Sequence, residues 1–522
     1  MHFKVPFLLF LGILGLCQAE ESSLVEYNVV MSEAGTGIVG VAVGQEVFPL
    51  RPHDQDPLLY TGMGPGKQPY RYVLLNDLTS KEMVDFEPFE RPAILQSDRT
   101  FNEVFGRPWN KLSLPTLPKV YPFELGPDTP KNKKHADEDL GHSKLYEDGV
   151  IANLMFNFDP ALLDQLHSDK MDPLKKIKGT MSYVSYDHVQ NFEKVTLKIG
   201  GHSSRKWSKV PYKLKLKSPK GLYDRWQFKL RPEATDPTMI REKLYSDVLQ
   251  ASGVLAPRGA YARYLRETIH HGSEKAAIGP IIKGDAGKGD YAADLGYRGD
   301  TAASYDEKVY EVKGVGKKTT GNNYMLYKHP KTNQMITLPM DFDFTFGNGL
   351  EKDQHQLMTG KWVEFSAKRM AHSYLWEKVI SAPALQQMYL DILNTINSNV
   401  THPDVLLPRA QALAYMIEHD AEWDKDLARW TSDHGLDLNR QWADGKFLQS
   451  LYHGAGAVDE NIGLAEWVRA KYEAVSKDLA LVQNMPQQEK ESVMQANALS
   501  IKGIPRDEYE AMKDDEDEED GH

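Results

Sequence analysis

Asp341 and Asp343 stand one residue apart at the end of an apolar run, shortly before Gly347. Hard cations such as Mg²⁺ take carboxylate oxygens, and a metal held this way bridges to phosphate groups. Two aspartates closing a loop give the same pattern, so the pair alone does not fix a metal site. Upstream, Ile199-Gly200-Gly201-His202-Ser203-Ser204-Arg205-Lys206 leads through Lys209 to Tyr212-Lys213-Leu214-Lys215-Leu216. Backbone amides, hydroxyls and cations in that order suit anionic oxygens. A Gly/Ser hairpin with solvent-facing lysines has the same composition. Two further segments are weak alone: Asp236-Pro237-Thr238-Met239-Ile240-Arg241-Glu242-Lys243-Leu244 and Gly321-Asn322-Asn323-Tyr324-Met325-Leu326-Tyr327.

These residues need a scaffold, and hydrophobic patterning supplies its outline. Glu26–Met31, Ile38–Val43 and Tyr70–Leu75 predict short strands, with Gly35-Thr36-Gly37 and Gly62-Met63-Gly64-Pro65-Gly66 as turns. That spacing suggests a β-sandwich over residues 20–110. A Pro-rich and then charged stretch, 111–146, suggests a linker. Strands are expected at Ile151–Phe158, Val195–Ile199, Tyr212–Leu216, Glu311–Lys313 and Met335–Met340. A helix is expected over Pro237–Ser252, capped by Asp236 and ended by Gly253. Residues 147–350 thus form an α+β domain, with Asp341 and Asp343 pointing to one face by strand alternation. Beyond Lys361 the spacing is helical. Leu385, Met388, Tyr389, Ile392, Leu393 and Ile396 make one core-facing stripe, and Leu464, Trp467, Val468, Val475, Leu479 and Val482 another. Residues 351–500 are read as a helical subdomain and 501–522 as an acidic disordered tail.

Composition bounds the function. The net charge of −12 is concentrated in the run Asp514–Asp520, and the body is only mildly acidic, which argues against nucleic acid as the main partner. Residues 1–19 have the basic, apolar, small-residue order of a secretory signal, and the apolar run Val5–Leu16 is too short for a membrane span. Cys17 is the only cysteine of the 522 residues and falls inside that signal, so the mature chain is expected to lack disulfides. Gly284-Asp285-Ala286-Gly287-Lys288-Gly289 lacks phosphate-loop spacing, and His270-His271 has no third ligand at metalloprotease spacing. Asn399-Val400-Thr401 is a glycosylation sequon.

In this order, the four segments resemble the CotH family, the spore-coat protein H-like atypical protein kinases. The motifs that carry the likeness are Ser203-Ser204-Arg205, Thr235–Leu244 and Asn322 through Gly349. The β-rich N-terminal part is similar to that of the family's fungal branch, secreted or surface proteins described as invasins. The resemblance implies an atypical protein-kinase-like α+β domain within a multi-domain α+β chain. It places Ser204, Arg205, Lys209 and Lys213 near ATP phosphates, Mg²⁺ on Asp341 and Asp343, and Asn323 in the catalytic segment. It also implies cell-surface or coat proteins, or a host receptor, as partners, at a spore or cell surface.

Two departures stand out. Arg266-Glu267 runs straight into Thr268-Ile269-His270-His271-Gly272, where the family has a longer hairpin. Gly314–Thr320 replaces the stretch that ends in the presumed catalytic aspartate, and no acidic residue stands there. Asp306 lies upstream, before the expected strand. With the base absent, weak Mg²⁺-ATP binding and impaired catalysis are expected, leaving a binding role as adhesin or invasin. The alternative is a secreted Mg²⁺-ATP protein kinase acting on coat or extracellular proteins. A shortened gene reading would leave the same two gaps.

Overall fold

The computed structural model describes residues 24–31, 38–54, 56–77, 81–121, 143–168, 175–201, 205, 207–264, 267–270, 281–284, 310–313, 324–328, 335–340, 342, 344–349, 356–361, 379, 381–426, 445–452, 462–484, 486 and 489. The expected signal (1–19), Gly35-Thr36-Gly37, Gly314–Thr320 and the acidic run lie outside them. The chain is mixed α+β with several sheets, and it divides into two compact units, residues 1–110 and 111–522.

Unit one is all β. Its strands are β1 (Leu24–Val30), β2 (Ile38–Val43), β3 (Glu46–Pro49), β4 (Arg51–His53), β5 (Asp56–Pro65), β6 (Tyr70–Leu75), β7 (Met83–Phe86) and β8 (Glu103–Val104). They form two four-stranded sheets, ordered β4-β5-β1-β8 and β3-β2-β6-β7. Alternation sends Val25, Tyr27 and Val29 of one sheet and Val39, Val41, Tyr70 and Tyr72 of the other into a single core. Gly62-Met63-Gly64, expected as a turn, lies inside β5. The reason is close packing: a Cβ on Gly62 would lie 2.8 Å from Leu50, and one on Gly64 would lie 3.1 Å from Tyr27.

A buried charge cluster closes this core. Arg91 donates to Glu87 through Nε (2.9 Å) and Nη2 (2.6 Å), and its Nη1 lies 3.3 Å from Glu103. Glu103 also accepts from the hydroxyls of Tyr70 and Tyr72, each at 2.9 Å. Burial, opposed by Arg91 and the tyrosine hydrogen bonds, raises the Glu103 carboxyl above its ordinary range. Arg91 is raised despite its burial, because Glu87 and Glu103 surround it.

In unit two, β9 (Ile151–Asn157), β10 (Ile177–Ser185), β11 (His188–Ile199), β12 (Tyr212–Leu216), β13 (Gln227–Leu230), β14 (Tyr261–Tyr264) and β15 (Glu267–His270) make a seven-stranded sheet. Its order is β13-β12-β11-β10-β9-β14-β15, antiparallel except where β14 runs parallel to β9. Helix α1 (Pro160–Ser168) buries Leu166 in the core on one face of this sheet, against Phe156, Met181, Leu197, Leu214 and Phe228 among others. A second sheet, β17-β16-β18-β19, contains β16 (Ile281–Gly284), β17 (Tyr310–Lys313), β18 (Tyr324–Lys328) and β19 (Met335–Pro339).

Beside α1, the described α-helices are α2 (Arg241–Ala251), the short α3 (Gln356–Thr359), α4 (Pro383–Asn399), α5 (Pro403–Asp426) and α6 (Leu464–Gln483). Helix α2 begins at Arg241, later than the expected Pro237. The Asp236 carboxylate accepts from the amides of Thr238, Ile240 and Arg241 at 2.9–3.0 Å, which folds residues 236–240 into a buried turn ahead of the helix. On α6, Leu464, Val468, Val475 and Leu479 are buried as their spacing predicts. On α4 the expected stripe is corrected in part: Leu385, Met388 and Ile392 are exposed, Tyr389, Leu393 and Ile396 are half-buried, and the buried positions are Gln386, Leu390 and Asn397. The helix turns its polar Gln386 and Asn397 inward, and Asn397 Nδ2 donates to Ser476 of α6 at 2.9 Å. Residues 111–121 run along unit two, where Leu112 N–H donates to Gly149 and Val120 N–H to Ala251.

Replacing Arg91 by Met should destabilise unit one by about 3–5 kcal/mol, because two carboxylates would stay buried without their cation. Denaturation followed by near-ultraviolet dichroism of the tyrosine cluster measures it.

Candidate functional site

Gly200 organises the first cluster. Its N–H donates to Pro211 C=O at 2.6 Å, which closes the connection from β11 to β12. Its C=O accepts from Arg205 Nε at 2.8 Å, and Arg205 is buried. A Cβ on Gly200 would come within 3.3 Å of Lys213 Cγ, so the lysine stem lies directly over the glycine. Arg205 and Lys213 therefore meet at one residue. Gly201 follows at φ +66°, a left-handed conformation that suits glycine.

Strand register extends this cluster. Lys198 of β11 pairs with Lys213 of β12, which pairs with Lys229 of β13. Alternation puts all three on the sheet face opposite the core formed by Leu197, Leu214 and Phe228. The three side chains therefore concentrate positive charge in one row across three strands. Lys198 and Lys229 were not among the residues singled out from sequence. The alternation of lysines with apolar residues was the available signal, but pairing across three strands is not visible in any one of them.

Lys209 has a different environment. Its ammonium is 2.9 Å from both oxygens of Asp424 near the end of α5, and both residues are buried. One turn earlier on the same helix, Asp420 accepts from Arg263 Nε of β14 at 2.6 Å, with the guanidinium 4.7 Å above the Trp423 ring. Near its start, α5 presents Arg409, whose guanidinium grips Asp148 at 2.5 and 2.8 Å and Asp247 of α2 at 2.8 Å. Burial opposes ionisation of Asp148, but Arg409 outweighs it and holds the carboxyl below its ordinary value.

Ser204, Asn323, Asp341 and Asp343 lie outside the described residues. Around the two aspartates, β19 ends at Pro339 and a turn begins at Phe344. Phe342 and Phe346 are buried against Tyr245 of α2, with ring centroids 5.1 and 5.6 Å away. Phe346 also meets Trp467 of α6 edge-on at 5.4 Å. Gly347 has φ +78°, and a Cβ there would lie 2.4 Å from the Trp467 ring. The segment is thus anchored between α2 and α6. Asn399 is exposed in the last turn of α4 and donates to Thr395 C=O at 2.9 Å, while Val400 beside it is fully buried. Among the described residues no group of three or more His, Cys, Asp or Glu could hold a metal ion.

His167 of α1 underpins the same strand connection. Its Nδ1 must carry the proton, because it faces the Leu163 carbonyl at 2.7 Å. Its Nε2 therefore accepts from the hydroxyl of Tyr212, also at 2.7 Å, beside Lys213. Burial lowers the His167 pKa below 6.5.

A sequence model described as CotH kinase protein matches residues 197–272 and 303–449. Three proteins of Rhizopus delemar are also similar over most of the chain. Invasin CotH2 is 24% identical over 475 residues, covering 75% of this chain and 76% of that protein. Invasin CotH3 is 23% identical over 542 residues, covering 87% and 84%. Spore coat protein homolog 1 is 22% identical over 537 residues, covering 87% and 82%.

Breaking the Lys209–Asp424 pair from either side, by Lys209→Met or Asp424→Leu, should cost about 3–5 kcal/mol, while the double variant should recover most of that loss. A double-mutant cycle in urea denaturation reads the coupling. His167 gives a pH signature. Its folded pKa is lowered, so its contribution is full above 6.5 and is lost as pH falls through that value towards the folded one. The His167→Phe variant should therefore lose less stability than wild type between pH 7 and 5 in denaturation midpoints.

Proposed function

The chain belongs to the CotH family, in its fungal invasin branch, and from that premise we propose that it is a secreted surface-binding protein. It uses a kinase-related scaffold with little or no phosphoryl transfer and acts in adhesion to, or invasion of, other cells. One observation carries this reading: Lys209, which the family pattern offers to phosphate, is a buried strut to Asp424. The cation serves the packing of α5 on the sheet. Gly314–Thr320, with no acidic residue, supports the same conclusion, because phosphoryl transfer to a hydroxyl needs a group that positions and deprotonates it. The names of the similar proteins, invasins and a spore coat homolog, favour a role at a cell or spore surface. No described helix is long and apolar enough to cross a membrane.

A second reading, a Mg²⁺-ATP-dependent kinase of coat or extracellular proteins, has its own observation. Arg205 meets Lys213 at Gly200, and Lys198 and Lys229 flank Lys213 in register. These residues fit phosphate oxygens. Asp341 and Asp343 would hold Mg²⁺, whose charge neutralises phosphate when bound. Weak nucleotide binding without turnover is compatible with the primary reading.

The purified chain should show a small rise in melting temperature with millimolar Mg²⁺-ATP. It should also show phosphotransfer at background and cell binding unchanged by Asp341→Ala. Phosphotransfer above background that Asp341→Ala abolishes, together with loss of cell binding, would replace this reading with the kinase.

A further inference from the structure

Helix α4 carries apolar side chains away from its buried face. Gln386, Leu390 and Asn397 are the buried positions, and Asn397 meets Ser476 of α6. Leu385, Met388 and Ile392 remain 44%, 58% and 38% exposed. An α-helix turns through about 100° per residue, which sets these three together on one side, apart from the buried positions. A step of seven residues returns to nearly the same direction. Leu385 and Ile392 are one such step apart, and the next step is Asn399, the exposed asparagine of the sequon Asn399-Val400-Thr401. The attachment point for a glycan therefore stands on the exposed apolar stripe itself.

The side-chain nitrogen of Asn399 has two hydrogens, and it donates one to Thr395 C=O at 2.9 Å. In N-glycosylation this nitrogen attacks the anomeric carbon of a lipid-linked oligosaccharyl diphosphate. The C–N bond forms as the C–O bond to the phosphate breaks, the nitrogen loses one proton, and the lipid diphosphate leaves. Val400, the middle residue of the sequon, is fully buried in the folded chain, so transfer belongs to the stage before α4 packs. We infer that Asn399 carries an N-linked glycan whose first sugars lie along Ile392, Met388 and Leu385 and shield them. Ile392 and Met388 are about 10 Å and about 16 Å from Asn399 along the helix axis, within reach of the first few sugars. Pyranose rings turn C–H faces to aliphatic side chains and hydroxyls to water, so they cover apolar surface and stay hydrated. A protein partner lying along the stripe would meet the glycan first. The inference rests on the secretory reading above, because only a chain entering that path meets the glycosyl donor.

The full chain is expressed in yeast, once behind its own first residues and once behind a leader known to direct secretion. Peptide mapping after enzymatic release of N-glycans in heavy-oxygen water reads occupancy at Asn399, which should be high. A chain that is glycosylated behind the known leader but stays inside the cell behind its own residues would sink the secretory reading and leave this one standing. An unmodified Asn399 in material secreted behind the known leader would overturn the inference. Shielding is read by the fluorescence of a dye that binds exposed apolar surface. Folded Asn399→Gln protein, and wild type stripped of glycan under native conditions, should each bind several-fold more dye than the glycosylated chain. Adding Leu385→Ser, Met388→Gln and Ile392→Gln to Asn399→Gln should return dye binding to the glycosylated level, with melting curves close to wild type. Equal dye binding with and without the glycan, or excess binding that persists when the stripe is made polar, would overturn the shielding role.

Discussion

The inner face of α5 is the constraint on which unit two depends. Within one helix, Arg409 clamps Asp148 and Asp247, Asp420 takes Arg263, and Asp424 takes Lys209. Each pair joins the helix to a different piece of the sheet layer: the lead-in to β9, helix α2, strand β14 and the connection into β12. Asp420 and Asp424 are one turn apart, so they share a face. Such pairs add little net stability relative to apolar packing, because desolvation consumes most of the Coulombic gain. Their effect is geometric. A helix that slid by one residue would leave these charges buried and unmatched, and that penalty fixes its register.

This bears directly on the chemistry. Two basic residues, one before β12 and one within it, have separate tasks. Lys209 is committed to α5, whereas Lys213 sits over Gly200 with Arg205 and is flanked by Lys198 and Lys229. Holding Lys209 fixes where β12 starts, and the Tyr212–His167 hydrogen bond fixes it from the other face. The lysine row is thus set by two buried polar contacts on either side of the strand. In the kinase reading proposed above, this row is what meets phosphate oxygens. Acid–base work on a hydroxyl is a separate requirement that cations cannot meet.

Strand periodicity was legible. Ile38–Val43, Tyr70–Leu75 and Tyr212–Leu216 are strands with the bounds their alternation predicts. Positions that depend on distant partners were not. Lys209 and Asp424 are 215 residues apart, and nothing local to either marks the other. Asp236 carries a capping composition, yet its carboxylate serves a buried turn and the Arg241 guanidinium at 2.5 Å, so the helix starts later. Glycines at Gly62 and Gly64 look like a turn in one dimension and are spacers under Leu50 and Tyr27 in three. The α4 stripe held only in part for a related reason. Helical spacing shows that one face is apolar but not which of its residues meet the core, and the buried face is turned to run through Gln386, Leu390 and Asn397, whose Nδ2 donates to Ser476.

The two units solve one problem alike. With Cys17 as its only cysteine, the chain can form no internal disulfide. Each unit instead buries an arginine between two carboxylates: Arg91 with Glu87 and Glu103, and Arg409 with Asp148 and Asp247. The titration behaviour of these clamps differs in sign. Asp148 is held below its ordinary value, so its contribution is present above about pH 4 and is lost as pH falls through the folded pKa. Glu103 is raised by burial, so it opposes folding once pH climbs past its ordinary value and through the folded one. Acid therefore weakens the clamp on α5 while relieving the buried carboxylate in unit one.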